Sequence, residues 1–212
     1  MERSIARELL EDSHLPQHVV ARAYRDLDRI HRWLGNTAAI LRLLREDPVP
    51  VRRVLDIGCG HGALLDHARR RLGVDVVGVD LRPAPPSAPV PILTGDAVVD
   101  PLPSADVAVA VCLAHHLSEA DFIRLVHNVS RSCRRFIVLD LVRHRLPLVL
   151  FRAFLAPFLC RLNGIDGLTS VRRSYTPAEM RRVIGMALKE TGGRVRHTVA
   201  PLYIRQVVDI SW

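Results

Sequence analysis

Residues Val54–Arg70 read VLDIGCGHGALLDHARR, and the fold is decided there. An apolar run ending at Ile57 has the form of a short buried strand. Gly58, Gly60 and Gly62 then open a turn, and from Ala63 the apolar positions recur at helical spacing. A glycine turn between a strand and a helix lets a ligand approach the backbone beside the helix N-terminus. Gly58, Gly60 and Ala63 satisfy a dinucleotide pattern, and Asp80 lies where such folds place the acid that meets a ribose. The glycines alone therefore leave the ligand open.

Asp56 narrows the choice. It sits inside the strand end, two residues before Gly58, and is aimed at the same turn. A carboxylate there repels a pyrophosphate and favours a ligand with positive charge, such as an α-ammonium and a sulfonium. DIGCGHG followed by Asp80 thus fits S-adenosylmethionine better than NAD.

The pattern spreads outward from this unit. Residues 17–34 place Val20, Tyr24, Leu27, Ile30 and Leu34 at helical spacing, with Gly35 as a stop and Asn36 as the cap of a second helix running to about Glu46. Pro48 and Pro50 separate this arm from the rest. After the helix at Ala63–Leu72 come a strand ending at Asp80, a short strand ending near Asp96, a strong strand ADVAVAVCL, a helix capped by Ser118 and a strand RRFIVLDL. Prolines between 83 and 91 leave a loop where a crossover helix is expected. Strands alternating with helices form parallel βαβ units. Thr176-Pro177-Ala178-Glu179 is a capping box whose helix ends at Gly192-Gly193, and the last residues give two strands turning at Ala200-Pro201, an antiparallel closing pair. The reading is an α/β, Rossmann-like, doubly wound sheet of seven mostly parallel strands. A helical arm covers 1–50, the sheet domain 51–212, and a helical lid is inserted at 146–175.

Composition bounds the function. With 212 residues, 49% hydrophobic and 25% charged, the chain suits one cored domain. The net charge of +8 comes almost wholly from arginine, since Lys189 is the only lysine. The clusters at Arg69–Arg71 and Arg134–Arg135 read as solvated surface, because no aromatic-and-basic motif accompanies them. Cys59, Cys112, Cys133 and Cys160 lack metal-ligand spacing and read as reduced thiols, with no metal expected. The opening MERSIARELLEDSH carries no signal-peptide core, so the expected location is cytoplasmic.

The chain resembles the class I S-adenosylmethionine-dependent methyltransferases. VLDIGCGHG is similar to their first motif, VVGVD to the acidic strand end, TGDA to the adenine-contacting segment and CLAHHL to the end of the fourth strand. YRDLDRIHRWLGN and SVRRSYTPAEM resemble bacterial small-molecule methyltransferases, including ones that occur beside polyketide synthases. The resemblance implies that Gly58, Cys59 and Gly60 pass along the methionine part and ribose of the cofactor, and that Asp56 holds its amino group. It implies that Asp80 accepts from the ribose hydroxyls, with Leu81 on the adenine. Asp96, beside Ala97, accepts from the adenine amine, and Leu113 meets the methionine chain.

The acceptor is read less directly. His115 and His116 follow the fourth strand, where one of them is either a base for an oxygen acceptor or a packing group. Asp140 is a second polar candidate or a turn cap. His31 and Trp33 lie on the leading helix, Trp33 as core packing, and His61 points from the turn to solvent. Residues 146–160 are apolar over more than one helical face, which suits a lid over an apolar pocket, a dimer contact or a peripheral membrane contact. The expected function is methyl transfer to a small apolar molecule at a phenolic or enolic oxygen, by a monomer or homodimer. A nucleic-acid methyltransferase and a non-catalytic cofactor-binding partner are the alternatives. Against nucleic acid, no Asn/Asp-Pro-Pro-aromatic stretch follows the fourth strand.

Overall fold

The computed structural model describes residues 1–12 and 14–212. In chain order its main elements are α1 (Gln17–Trp33), α2 (Asn36–Arg45), β1 (Arg53–Ile57), α3 (Ala63–Leu72), β2 (Asp75–Asp80), β3 (Ile92–Thr94), β4 (Ala105–Val111), α4 (Glu119–Ser130) and β5 (Cys133–Asp140). They continue with α5 (Arg145–Leu150), α6 (Arg161–Arg173), α7 (Pro177–Thr191), β6 (Arg194–Val199) and β7 (Gln206–Ser211). One seven-stranded sheet runs in the order β3-β2-β1-β4-β5-β7-β6. β1 to β5 pair in parallel, and β7 runs antiparallel between β5 and β6.

Alternation along the strands sorts the core into two layers. Leu55, Ile57, Val77, Ala108 and Ala110 face Phe122 and Val126 of α4 and Met180 and Val183 of α7. Val54, Val76, Val107 and Val109 face Ile40 and Leu44 of α2 and Leu65 and Ala68 of α3. Between β2 and β3 the proline-rich chain forms no helix. No helix among the described residues is long and apolar enough to cross a membrane.

Local capping follows the sequence with one exception. Ser118 accepts from the Asp121 amide, and Thr176 with Glu179 completes a capping box. Asn36 is not the cap of α2: Gly35, at φ +71°, takes that place. The Asn36 side chain is turned away to His31 Nδ1 at 3.0 Å, and it accepts from Arg205. Gly35 wins because the tight connection from α1 needs a left-handed residue.

Arg134 and Arg135 also depart from expectation. Arg135 is buried, donating to both oxygens of Asp209 (2.8 and 2.6 Å) and to Asp47 Oδ2 at 2.8 Å. Arg134 donates to the same Asp47. Burial works against the Asp47 charge, but the two guanidiniums hold its carboxyl below the usual range. These arginines pin α2, β5 and β7 together rather than feeding a solvated basic face. Arg135→Ala should lower the unfolding free energy by about 3 kcal/mol in urea titrations, because the carboxylates it leaves behind lose their main partner.

Candidate active site

β1 and β4 are neighbours in the sheet although their following chains depart in opposite senses, which opens a crevice at the strands' carboxyl ends. A cavity of about 950 Å³ fills it. Asp56, Gly58, Cys59, Gly60, Asp80, Leu81, Asp96, Ala97, Leu113, His115 and His116 all line this one cavity.

The glycine turn forms the floor. Gly58, Gly60 and Gly62 have φ of +68°, +55° and +76°, a region that side chains other than glycine seldom occupy. The Gly60 amide donates to Asp80 Oδ2 at 2.7 Å, and the Arg82 amide to Oδ1 at 2.9 Å. A Cβ on Gly60 would strike the ring of Tyr24, which reaches down from α1. Tyr24 in turn stacks on His61 with ring centroids 4.0 Å apart, so His61 is a packing partner and does not point freely to solvent. Burial and the nearby Asp80 push the Tyr24 hydroxyl up to about 12. Asp56 is buried, and its carboxyl is raised well above the usual range by burial first and by Asp80 second. Without a cationic neighbour it is held toward its neutral form, and a ligand bringing positive charge restores the carboxylate.

The histidines enter from the end of β4. Cys112 takes φ +54°, strained for a side-chain-bearing residue, and turns the chain into the short 3₁₀ segment Ala114–His116. His115 Nδ1 lies 2.7 Å from Asp140 Oδ1, and its amide donates to Asp140 Oδ2 at 2.8 Å. Its Nε2 lies 3.4 Å from Glu8 Oε1. Burial opposes the imidazolium charge, yet Asp140 and then Glu8 lift His115 to about 9. His116 Nδ1 lies 2.8 Å from Glu11 Oε1, and its Nε2 is 3.8 Å from Glu8 Oε2. Burial and the charge on His115 push His116 below its ordinary value. The pair is therefore not two equivalent bases: Asp140 and Glu8 favour the charged form of His115, whereas burial and His115 favour the neutral form of His116.

Residues 24–144 match the model of a methyltransferase domain. The chain belongs to that methyltransferase family. The fold agrees: the plantazolicin methyltransferase BpumL, solved with SAH, superposes with a TM-score of 0.69 at 13% identity, over 94% of this chain and 91% of that one. A putative O-methyltransferase from Nostoc punctiforme gives 0.66 at 16% identity, over 100% of this chain and 64% of that one. The pyocyanin biosynthetic protein PhzM gives 0.58 at 18% identity, over 91% and 61%. No curated protein sequence matches the chain significantly.

Within this methyltransferase some expectations need correcting. Trp33 is 61% exposed, with the Arg29 guanidinium 5.3 Å from its ring, rather than packed in the core, because it lies on the outer face of α1. His31 does line the cavity, bonded to Asn36 and lowered in pKa by burial. Residues 146–160 are not one helix: α5 passes into a π turn at Phe151–Leu155 and a 3₁₀ turn at Ala156–Phe158, where Pro157 interrupts the regular ladder. Phe151 lines the cavity, and a Cβ on Gly167 of α6 would meet its ring. Val149, Phe154 and Phe158 face outward. Asp140 takes the structural one of its two candidate roles, accepting from the Leu141 amide, and it also holds His115.

Sequence reasoning missed Glu8 and Glu11. They come from a stretch without helical or strand periodicity, brought to the cleft because Asp166 of α6 accepts from the Leu9 and Leu10 amides at 2.7 and 2.8 Å. Arg3 adds bonds to the carbonyls of Arg173 and Leu117. No local signal announces an approach across more than 100 residues of chain.

Gly60→Ala should cost about 1–3 kcal/mol of stability in urea titrations, from the left-handed φ and the Tyr24 ring together. The penalty should be smaller in a Tyr24→Ala background, where only the backbone term survives.

Proposed function

We propose that this methyltransferase uses S-adenosylmethionine to methylate a small apolar acceptor at a phenolic or enolic oxygen. The observation that carries the reading is the cavity itself. It joins the carboxylates of Asp56 and Asp80 and the open glycine floor to apolar side chains, Ile5, Leu27, Leu34, Leu117 and Phe151 among them, with His116 in the same lining.

The floor fits the cofactor. Asp56 is a buried carboxyl beside a second acid, a place that gains from a cationic ligand. Each oxygen of Asp80 accepts one amide, and a carboxylate has about four acceptor positions, so capacity remains for two ribose hydroxyls. Leu81, 72% exposed, offers a surface for the adenine, and Asp96 beside Ala97 would take the adenine amine. Gly58, Cys59 and Gly60 would face the methionine part and ribose, with Leu113 against the chain. When bound, the cofactor supplies an electrophilic methyl group with a good leaving group. The chain's own task is to place the acceptor, exclude water and manage one proton. With His116 Nδ1 tied to Glu11, its Nε2 is the ring nitrogen left to receive the acceptor's proton. Residues 146–175 act as the lid, with Phe151 seated on Gly167 as its inner contact.

Titration calorimetry should show S-adenosylmethionine binding and no NAD binding. Asp80→Ala should weaken the cofactor by about 5–150-fold, the equivalent of about 1–3 kcal/mol. Asp56→Asn should also weaken it; a gain of NAD with no loss of S-adenosylmethionine would overturn the assignment of the turn. In single-turnover assays with a panel of small phenols, read by mass spectrometry, His116→Ala should slow methyl transfer by about 10²-fold with cofactor Kd unchanged. Methylation of RNA or DNA, with no phenol turned over, would transfer the reading to nucleic acid.

A further inference from the structure

Glu8, His115 and His116 bring one carboxylate oxygen and two ring nitrogens within 4.8 Å of one another. We propose that these three residues bind a divalent first-row transition ion, such as Zn²⁺, at the edge of the methyl-transfer cavity.

Two ligands at about 2.1 Å from a tetrahedral ion lie about 3.4 Å apart. His115 Nε2 and Glu8 Oε1 are separated by 3.4 Å, and His116 Nε2 lies 3.8 Å from the other oxygen of the same carboxylate. The two imidazole rings stand side by side with centroids 4.2 Å apart, both presenting Nε2 to Glu8.

Histidines that ligate metals donate their other ring N–H to a carboxylate or carbonyl, which fixes the tautomer and the ring plane. Here each ring has its own carboxylate at Nδ1: Asp140 at 2.7 Å for His115 and Glu11 at 2.8 Å for His116. Those carboxylates are themselves fixed. Asp140 also accepts the amides of His115 and Leu141, and Arg173 donates to Glu11. Glu8 accepts the Ser170 hydroxyl at 2.7 Å, which orients the shared carboxylate.

Three carboxylates surround two imidazoles, with Arg173 as the guanidinium in direct contact with one of them. A simple ion pair needs one histidine per acid. Two adjacent rings that share a third acid between them instead make room for a common cation. A dication that displaces the Nε2 proton from His115 would, together with Arg173, balance the three acids. All three ligands line the cavity, so coordination positions facing it stay open to an oxygen of the acceptor. An N₂O donor set of this kind suits Zn²⁺, Mn²⁺, Fe²⁺ or Co²⁺ rather than Ca²⁺ or Mg²⁺. An ion there would occupy His116 Nε2, so that ring could not also receive the acceptor's proton; the ion would instead acidify a bound acceptor hydroxyl, whose proton would leave to solvent.

The test uses the full chain, stripped with a chelator and titrated with Co²⁺, reading calorimetry and ligand-field absorption. One equivalent should bind. Glu8→Gln and His116→Gln should each weaken Co²⁺ by at least about 100-fold, and Glu11→Gln by about 10–100-fold. His144→Gln, outside the cluster, should change nothing. Thermal unfolding of each variant checks the fold, and if Glu8→Gln or His116→Gln fails to fold, Glu11→Gln decides. Absence of saturable Co²⁺ binding by the folded wild type overturns the proposal, as does binding that these variants leave intact. The readout is metal alone, so it can fail while methyl transfer stands, and the reverse.

Discussion

The hydrogen bond from the Gly60 amide to the Asp80 carboxylate ties the cleft together. It joins the turn after β1 to the end of β2, two neighbouring parallel strands, and fixes how far apart their ends stand. Gly60 can offer that amide only because its backbone is left-handed, and it can be left-handed without conflict only because it has no side chain to meet Tyr24. Tyr24 belongs to α1, so the leading helix is placed by the same contact that shapes the floor. Arg82, whose amide completes the Asp80 pairing, reaches on to the Leu10 carbonyl and so fastens the chain's first residues to the same point.

Much of this was legible in the sequence. The strand–glycine–helix unit, the acid at the end of β2 and the antiparallel ending are written in local patterns: alternation, turn chemistry and caps. Such patterns carry fold because they act over a few residues. The cofactor floor shares that property, since Asp56, Gly58 and Gly60 are adjacent and Asp80 is one strand away. The acceptor side does not. Glu8 and His115 lie more than 100 residues apart in sequence, and nothing in ELLED distinguishes an acid held in a cleft from one in water. Trp33 misled because its size and apolar character suggested packing, although it falls outside the periodic face of Val20, Tyr24, Leu27, Ile30 and Leu34. Asn36 misled because two residue types suited one cap, and the geometry of the connection chose glycine.

The charge of the chain is a second lesson in what composition conceals. A net charge of +8 invites a search for a polyanionic partner. Several of the arginines are structural instead: Arg135 between Asp47 and Asp209, Arg143 reaching Glu179 and the Ser174 carbonyl, and Arg205 bound to Leu34 and Asn36. Guanidinium groups suit this work because each offers several fixed donors that can join segments remote in sequence.

The segment before α1 bears on stability as well as shape. Ile5, Glu8, Leu10 and Glu11 form part of the cavity wall, and they are held there by discrete polar fasteners to Asp166, Ser170 and Arg173 rather than by a buried apolar face. A wall of that kind detaches by local opening, at far less cost than global unfolding. One wall of the cavity therefore depends on bonds between the first residues of the chain and α6, while its floor is built into the sheet.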